Sequence, residues 1–238
     1  MYPLVLTRIR CGLIFTLLVF SLCVHAQSLP DPKRFEDAIV AFETADKTSP
    51  PQEGAIVLTG SSSIARWNSQ AQAALAPLTV IPRGFGGSIM NDLLYYLDRV
   101  ALKYKPRAIL IYEGDNDTGM ETPVPNELVL QQLNQIISKI HETLPVTRIY
   151  VLSVKPSVLR KRVWPVAQAL SAGYKAIADQ DPLVYYVDVA TPLLAADGNV
   201  MTDIFVEDNL HLNDKGNAIW GATIKAALMP EEAQYEKK

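Results

Sequence analysis

The side chains of this chain that could do chemistry fall in four short stretches. The first is Gly60-Ser61-Ser62-Ser63, which follows the apolar run Ala55–Leu58 and precedes a segment that reads as helix. A hydroxyl at such a turn sits at the carboxyl end of a strand, where open α/β sheets bind ligands. The free N–H groups of the first helical turn suit a developing oxyanion. The second stretch is Gly84-Phe85-Gly86-Gly87-Ser88, whose glycines can expose a backbone N–H. The third is Gly114-Asp115-Asn116-Asp117, where the Asn116 amide is a candidate oxyanion donor. The fourth is Asp208-Asn209-Leu210-His211. Of the three histidines, His25 lies in a leader segment and His141 late in a helix beside Glu142. His211 alone sits in a loop with an acid three residues before it, so it is the candidate to activate a serine. Asp208 could then accept from its Nδ1–H and fix the tautomer.

The elements that would position these groups alternate regularly. Strands are expected at 55–58, 78–81, 108–112, 149–154 and 183–187, and helices from Phe35, at 71–76, after Ser88, at 127–142, 166–178 and 214–228. Ser88 is the expected N-cap of its helix, with Asp92 in the first turn. The unbroken apolar run 108–112 suits a strand covered on both faces. Strand–helix alternation implies βαβ units and a parallel sheet with right-handed crossovers. Three of the four stretches follow a strand directly, which brings them to one edge of the sheet. The segment 231–238 reads as a solvated tail.

Composition narrows the class. The 238 residues are 49% apolar and 20% charged, ordinary for one globular domain with a real core. A net charge of −3 gives no basic footprint for nucleic acid. Residues 1–26 have the pattern of a secretory signal peptide: Arg8 and Arg10, the apolar run Cys11–Val24, then Val24-His25-Ala26 before Gln27. An uncleaved anchor is the alternative, but the run is short for a membrane span. Cleavage would leave 27–238 as a single exported domain, periplasmic or extracellular, with no stable span. It removes two arginines and no acid, so the charge goes from −3 to −5. Cys11 and Cys23 leave with the leader. The remaining chain then has no disulfide, thiol nucleophile or cysteine metal site.

Rival motifs fail on the same residues. Gly84-Phe85-Gly86 begins a dinucleotide fingerprint, but position 89 is isoleucine. Asp115-x-Asp117 begins a calcium loop, but positions 120 and 126 are Met120 and Asn126. The Ser-centred sequence Ala169–Gly173 lies inside a helix rather than at a strand-to-helix elbow.

Taken together, Gly60-Ser61-Ser62, Gly87, Gly114–Asp117 and Asp208–His211 resemble, in order, the four blocks of the SGNH (GDSL-like) hydrolases, over about 55–228. The resemblance implies a flavodoxin-like three-layer α/β/α fold on a five-stranded parallel sheet, and ester hydrolysis with neither metal nor cofactor. It implies Ser62 as nucleophile, His211 as base and Asp208 as its partner. The oxyanion donors would be Ser62 N–H, Gly87 N–H and Asn116. Ser61 stands where the family has aspartate, which removes a carboxylate from the turn. Ser63 is the alternative nucleophile. Trp67 falls at the family's usual distance after Gly60.

The expected substrate is a small-molecule or glycan ester, such as an acetylated carbohydrate. An envelope O-acyltransferase, a lysophospholipase-type lipid hydrolase and a non-catalytic binding protein are the alternatives. Arg160 and Arg162, with Trp164, fall after the fourth strand. They are either a solvated surface or contacts favouring an anionic substrate. Nothing in the sequence fixes the oligomeric state.

Overall fold

The fold is that of a computed structural model describing residues 29–236. The expected leader, 1–26, lies outside the described residues. The elements run α1 (Glu36–Thr48), β1 (Ile56–Gly60), α2 (Ser62–Trp67), α3 (Ala71–Leu75), β2 (Val80–Gly84), α4 (Met90–Val100), β3 (Ala108–Tyr112), α5 (Asp115–Gly119), α6 (Asn126–Thr143), β4 (Arg148–Leu152), α7 (Trp164–Ala178), β5 (Val184–Val187) and α8 (Asp214–Glu232). The strands form one parallel sheet in the order β2-β1-β3-β4-β5.

Side-chain alternation along the central strands builds two cores, one on each face. Ile109 and Ile111 of β3 point to one side, with Val57, Ile149 and Val151, under α4, α6 and α7. Leu110 and Tyr112 point to the other, with Ile56, Leu58 and Leu152, under α2, α3 and α8. The result is the expected three-layer α/β/α arrangement. Truncating a central residue such as Leu110, fully buried, to alanine should cost about 2–5 kcal/mol.

Strand order reverses beside β1: the chain leaves it for β2 on one side and returns to β3 on the other. A crevice opens at the carboxyl ends of β1 and β3, the place where such sheets bind ligands. Ser62 follows β1 and Asn116 follows β3, so both stand at this crevice.

Several sequence expectations are corrected. β2 starts at Val80 and continues through Pro82 and Arg83 to Gly84. As an edge strand it tolerates a proline, which has no N–H to donate. The helix after Ser88 starts at Met90, and its N-cap is Ile89. The Asp92 carboxylate accepts the Ile89 N–H at 2.9 Å, while the Ser88 hydroxyl is turned to Glu113. Residues 115–119 form a short helix, an element the strand and helix pattern did not include.

Of the expected solvated tail, the described residues 231–236 are held against the fold. α8 runs on to Glu232, which is fully buried and accepts bonds from Arg107, Arg148 and Tyr150 at 2.6–3.0 Å. Glu236 then accepts the Thr79 N–H and hydroxyl, both at 2.7 Å. These bonds clamp the chain end against the amino edge of the sheet.

Candidate active site

Ser62 is the first residue of α2. Gly60 ends β1 at φ +132°, a conformation that suits glycine, and a side chain there would run into the Tyr112 carbonyl. The turn is tied across the crevice by the Ser61 N–H, which donates to that carbonyl at 3.0 Å. Below it, Trp67 is almost wholly buried against Gly221 of α8. The Ser63 hydroxyl hydrogen-bonds to Tyr112, while it is Ser62 whose hydroxyl meets His211 Nε2. Standing at the start of the helix, the Ser62 N–H has no carbonyl one turn back to bond.

The histidine arrives on a tight loop. Asn209 sits at its tip at φ +57°, a left-handed conformation that asparagine tolerates better than most residues. The Val206 N–H donates to the His211 carbonyl at 2.9 Å, and Phe205 pairs with Leu212. Asp208 Oδ1 accepts the N–H groups of Leu210 and His211 at 2.9 and 2.8 Å. Its other oxygen, Oδ2, lies 2.6 Å from His211 Nδ1. A carboxylate only accepts, so Nδ1 carries the proton and Nε2 keeps a lone pair. The Ser62 hydroxyl lies 2.8 Å from that Nε2.

What burial Asp208 has raises its carboxyl, but the bonds from the His211 backbone and ring and from Leu210 N–H outweigh this and hold it well below the usual range. Arg66 stands 3.6 Å away on the exposed side, where solvent screening leaves such a pair worth little.

Gly87 is exposed, at φ +90°, and among the described residues its N–H has no protein acceptor. Asn116 is half-buried in α5. Its Nδ2 donates to the Ser88 carbonyl at 2.9 Å, and its Oδ1 accepts from an Arg160 amino group at 2.8 Å. Asp117 supports the same turn, accepting the Gly114 N–H at 2.9 Å and the Met90 N–H at 3.1 Å. Burial pushes its carboxyl up to about 6, against the pull of these backbone bonds. Burial, and then the Asp117 charge, push Glu113 well above the usual carboxylate range. The Ser88 hydroxyl donates to Glu113 Oε1 at 2.5 Å.

The structure thus brings Ser62, His211 and Asp208 into one hydrogen-bonded line, with Gly87 and Asn116 on neighbouring turns. Of the basic cluster, Arg160 comes into the site, but its guanidinium is engaged by Asp115 and Asn116. Arg162 is exposed. Trp164 opens α7, packs partly on the core and lines a separate cavity of about 340 Å³ with Val158, Leu194 and Val200. His141 lies on α6, 3.5 Å from Asp181.

Lys155 is a residue that sequence reasoning passed over. It is buried beyond β4, donating to Asp115 Oδ2 at 3.1 Å and to the Leu210 carbonyl at 2.8 Å. Its signal was a lysine directly after an apolar strand, since a lysine carried into a core must find partners. Among the described residues no three His, Asp or Glu side chains converge as a metal-binding group.

A profile of the GDSL-like Lipase/Acylhydrolase family matches residues 46–219. The chain belongs to this family. It is accordingly a hydrolase acting on ester bonds. Among curated proteins no sequence matches it. Solved structures share the fold. A protein from Streptococcus pneumonia superposes with a TM-score of 0.72 at 24% identity, covering 82% of this chain and 93% of its own. A GDSL-like lipase from Bacteroides thetaiotaomicron gives 0.67 at 18% identity, covering 84% and 98%. An acetylxylan esterase from Geobacillus stearothermophilus gives 0.62 at 13% identity, covering 75% and 95%. At these identities the likeness is one of fold. Among the described residues no helix is long and apolar enough to cross a membrane.

Proposed function

We propose that this GDSL-like acylhydrolase is a serine esterase working by two-step acyl transfer. The observation that carries the reading is the line from Ser62 Oγ through the His211 ring to Asp208, with links of 2.8 and 2.6 Å. His211 Nε2 takes the Ser62 proton as the oxygen attacks the ester carbonyl, and returns it to the departing alcohol. Water, deprotonated by the same nitrogen, then releases the acid. Asp208 holds the ring in its tautomer and stabilises the imidazolium. The oxyanion forms among the Ser62 N–H, the Gly87 N–H and the Asn116 amide.

The substrate class we propose is a small acyl ester, such as acetate, carried on a carbohydrate, met after export through the 1–26 leader. The rim beside His211 supports this reading. Arg66, Gln70, Asn213, Asp214 and Asn217, together with the apolar Val206 and Leu212, line an open cavity of about 500 Å³ that offers side-chain partners for sugar hydroxyls. An acetylxylan esterase among the structural neighbours is in keeping with it. The test is hydrolysis of nitrophenyl esters of two, four, eight and twelve carbons, beside acetate release from acetylated xylan. Turnover that falls with chain length, together with acetate release, supports the reading. A preference for the long chains would turn it to lipids.

A further inference from the structure

We infer that Arg160 is a positioning residue for Asn116: its guanidinium sets which way the Asn116 amide faces and so which atom meets the oxyanion. The inference rests on the reading of Asn116 as an oxyanion donor. An amide side chain is nearly symmetric in shape, and a flip would replace an N–H with a carbonyl oxygen. That exchange turns an attraction for the oxyanion into a repulsion.

Two neighbours remove the ambiguity. The Ser88 carbonyl can only accept, and it lies 2.9 Å from Nδ2. The Arg160 amino group can only donate, and it lies 2.8 Å from Oδ1. One Nδ2 hydrogen is used on Ser88, which leaves the second for the cleft. A cation on Oδ1 also polarises the amide and strengthens its remaining N–H as a donor.

The guanidinium is itself held fast. Its other amino group donates to the Asp115 carbonyl at 2.6 Å and to Asp115 Oδ1 at 2.5 Å. The Arg160 N–H donates to Ser157 Oγ at 3.1 Å, and the Leu159 N–H to the Asn209 carbonyl at 3.0 Å. Room for the side chain is made at Gly119, where an added Cβ would lie 2.6 Å from Arg160 Cζ. Asp115 is kept anionic: burial raises its carboxyl, but Lys155 and Arg160 together bring it down to about 2. Lys155 meanwhile holds the Leu210 carbonyl, next to His211. One buried ion cluster therefore steadies both the oxyanion donor and the loop of the base. A lysine at 160 could not span Asp115 and Asn116 with a planar fork.

The test compares Asn116→Ala, Arg160→Ala, their double variant, Arg160→Lys and Gly119→Ala in the full protein. It uses 4-nitrophenyl acetate and an anionic ester, with folding followed by thermal unfolding. Asn116→Ala should lower kcat by about 10²–10³. Arg160→Ala should lower kcat by about tenfold to a hundredfold, with KM little changed and equally for both esters. The double variant should be no slower than Asn116→Ala, because the two act as a unit. Arg160→Lys should recover only part of the loss. Gly119→Ala, which displaces the guanidinium and keeps the charge, should also lower kcat. Additive losses, a KM effect confined to the anionic ester, or folded Arg160→Ala and Gly119→Ala proteins with unchanged kcat would overturn the inference. An unchanged Asn116→Ala would instead remove the oxyanion reading beneath it.

Discussion

Ser62 and His211 are 149 residues apart in the chain, yet the serine hydroxyl lies 2.8 Å from the histidine Nε2. The contact joins the first turn of α2 to a loop just before α8. Its histidine side is fixed by Asp208, which binds both the ring and the backbone of His211.

That double hold predicts the effect of Asp208→Asn. An amide in place of the carboxylate offers an N–H where the ring offers one, and the imidazolium loses its counter-charge. Turnover should fall by up to about 10⁴-fold, the figure for a fully buried aspartate in this role. Because the Asp208 side chain is 38% exposed, water will replace part of the interaction and the loss should be smaller. Steady-state kinetics on a neutral acetate ester checks this, and kcat within twofold of wild type would take Asp208 out of the relay.

Asp117 makes folding stability depend on pH. Its carboxyl titrates at about 6 in the fold and near 3.8 when unfolded. Between these values the folded protein keeps a proton that the unfolded chain has released. Stability from this group therefore declines as pH rises from 4 to 6, by about 3 kcal/mol, and is flat above. Asp115 acts with the opposite sign and only below pH 4, since its pKa is lowered to about 2. Urea unfolding at pH 4.5, 5.5 and 7 should show a decline in wild type that is shallower in Asp117→Asn, the remainder belonging to the buried Glu113, whose carboxyl is raised in the same direction. Parallel profiles would refute the assignment.

Glu232 should matter to stability and not to chemistry. Removing it leaves the Arg107 and Arg148 guanidinium groups, 13% and 12% exposed, without their shared carboxylate. Breaking such a pair costs about 3–5 kcal/mol. Glu232→Ala should lower the unfolding midpoint markedly while kcat of the folded fraction holds. An unchanged midpoint would mean the chain end is not clamped.

Local patterning carried the fold further than it carried the contacts. The run 108–112 reads as a buried strand from composition alone, and β3 has those bounds. β2 is displaced because its last residues, Pro82 to Gly84, are held by main-chain pairing with β1 and not by apolar side chains. The burial of Glu232 and the partners of Arg160 were not legible for one reason. Each is a charged residue in a polar stretch, and the partners that draw it inward lie more than 40 residues away. Three of the four candidate stretches were legible because turns at strand ends need particular residues locally, and the fourth because His211 is a loop histidine with an acid three residues before it. The line that joins Ser62 to His211 depends on strand order, which no window of sequence contains.

The most direct test of the account is covalent labelling with a serine-directed organophosphonate, followed by mapping of the modified peptide. One adduct is expected, on Ser62, absent in Ser62→Ala and much slower to form in His211→Ala, with ester hydrolysis lost in step. An adduct on Ser63, or hydrolysis that survives in a folded Ser62→Ala protein, would contradict it.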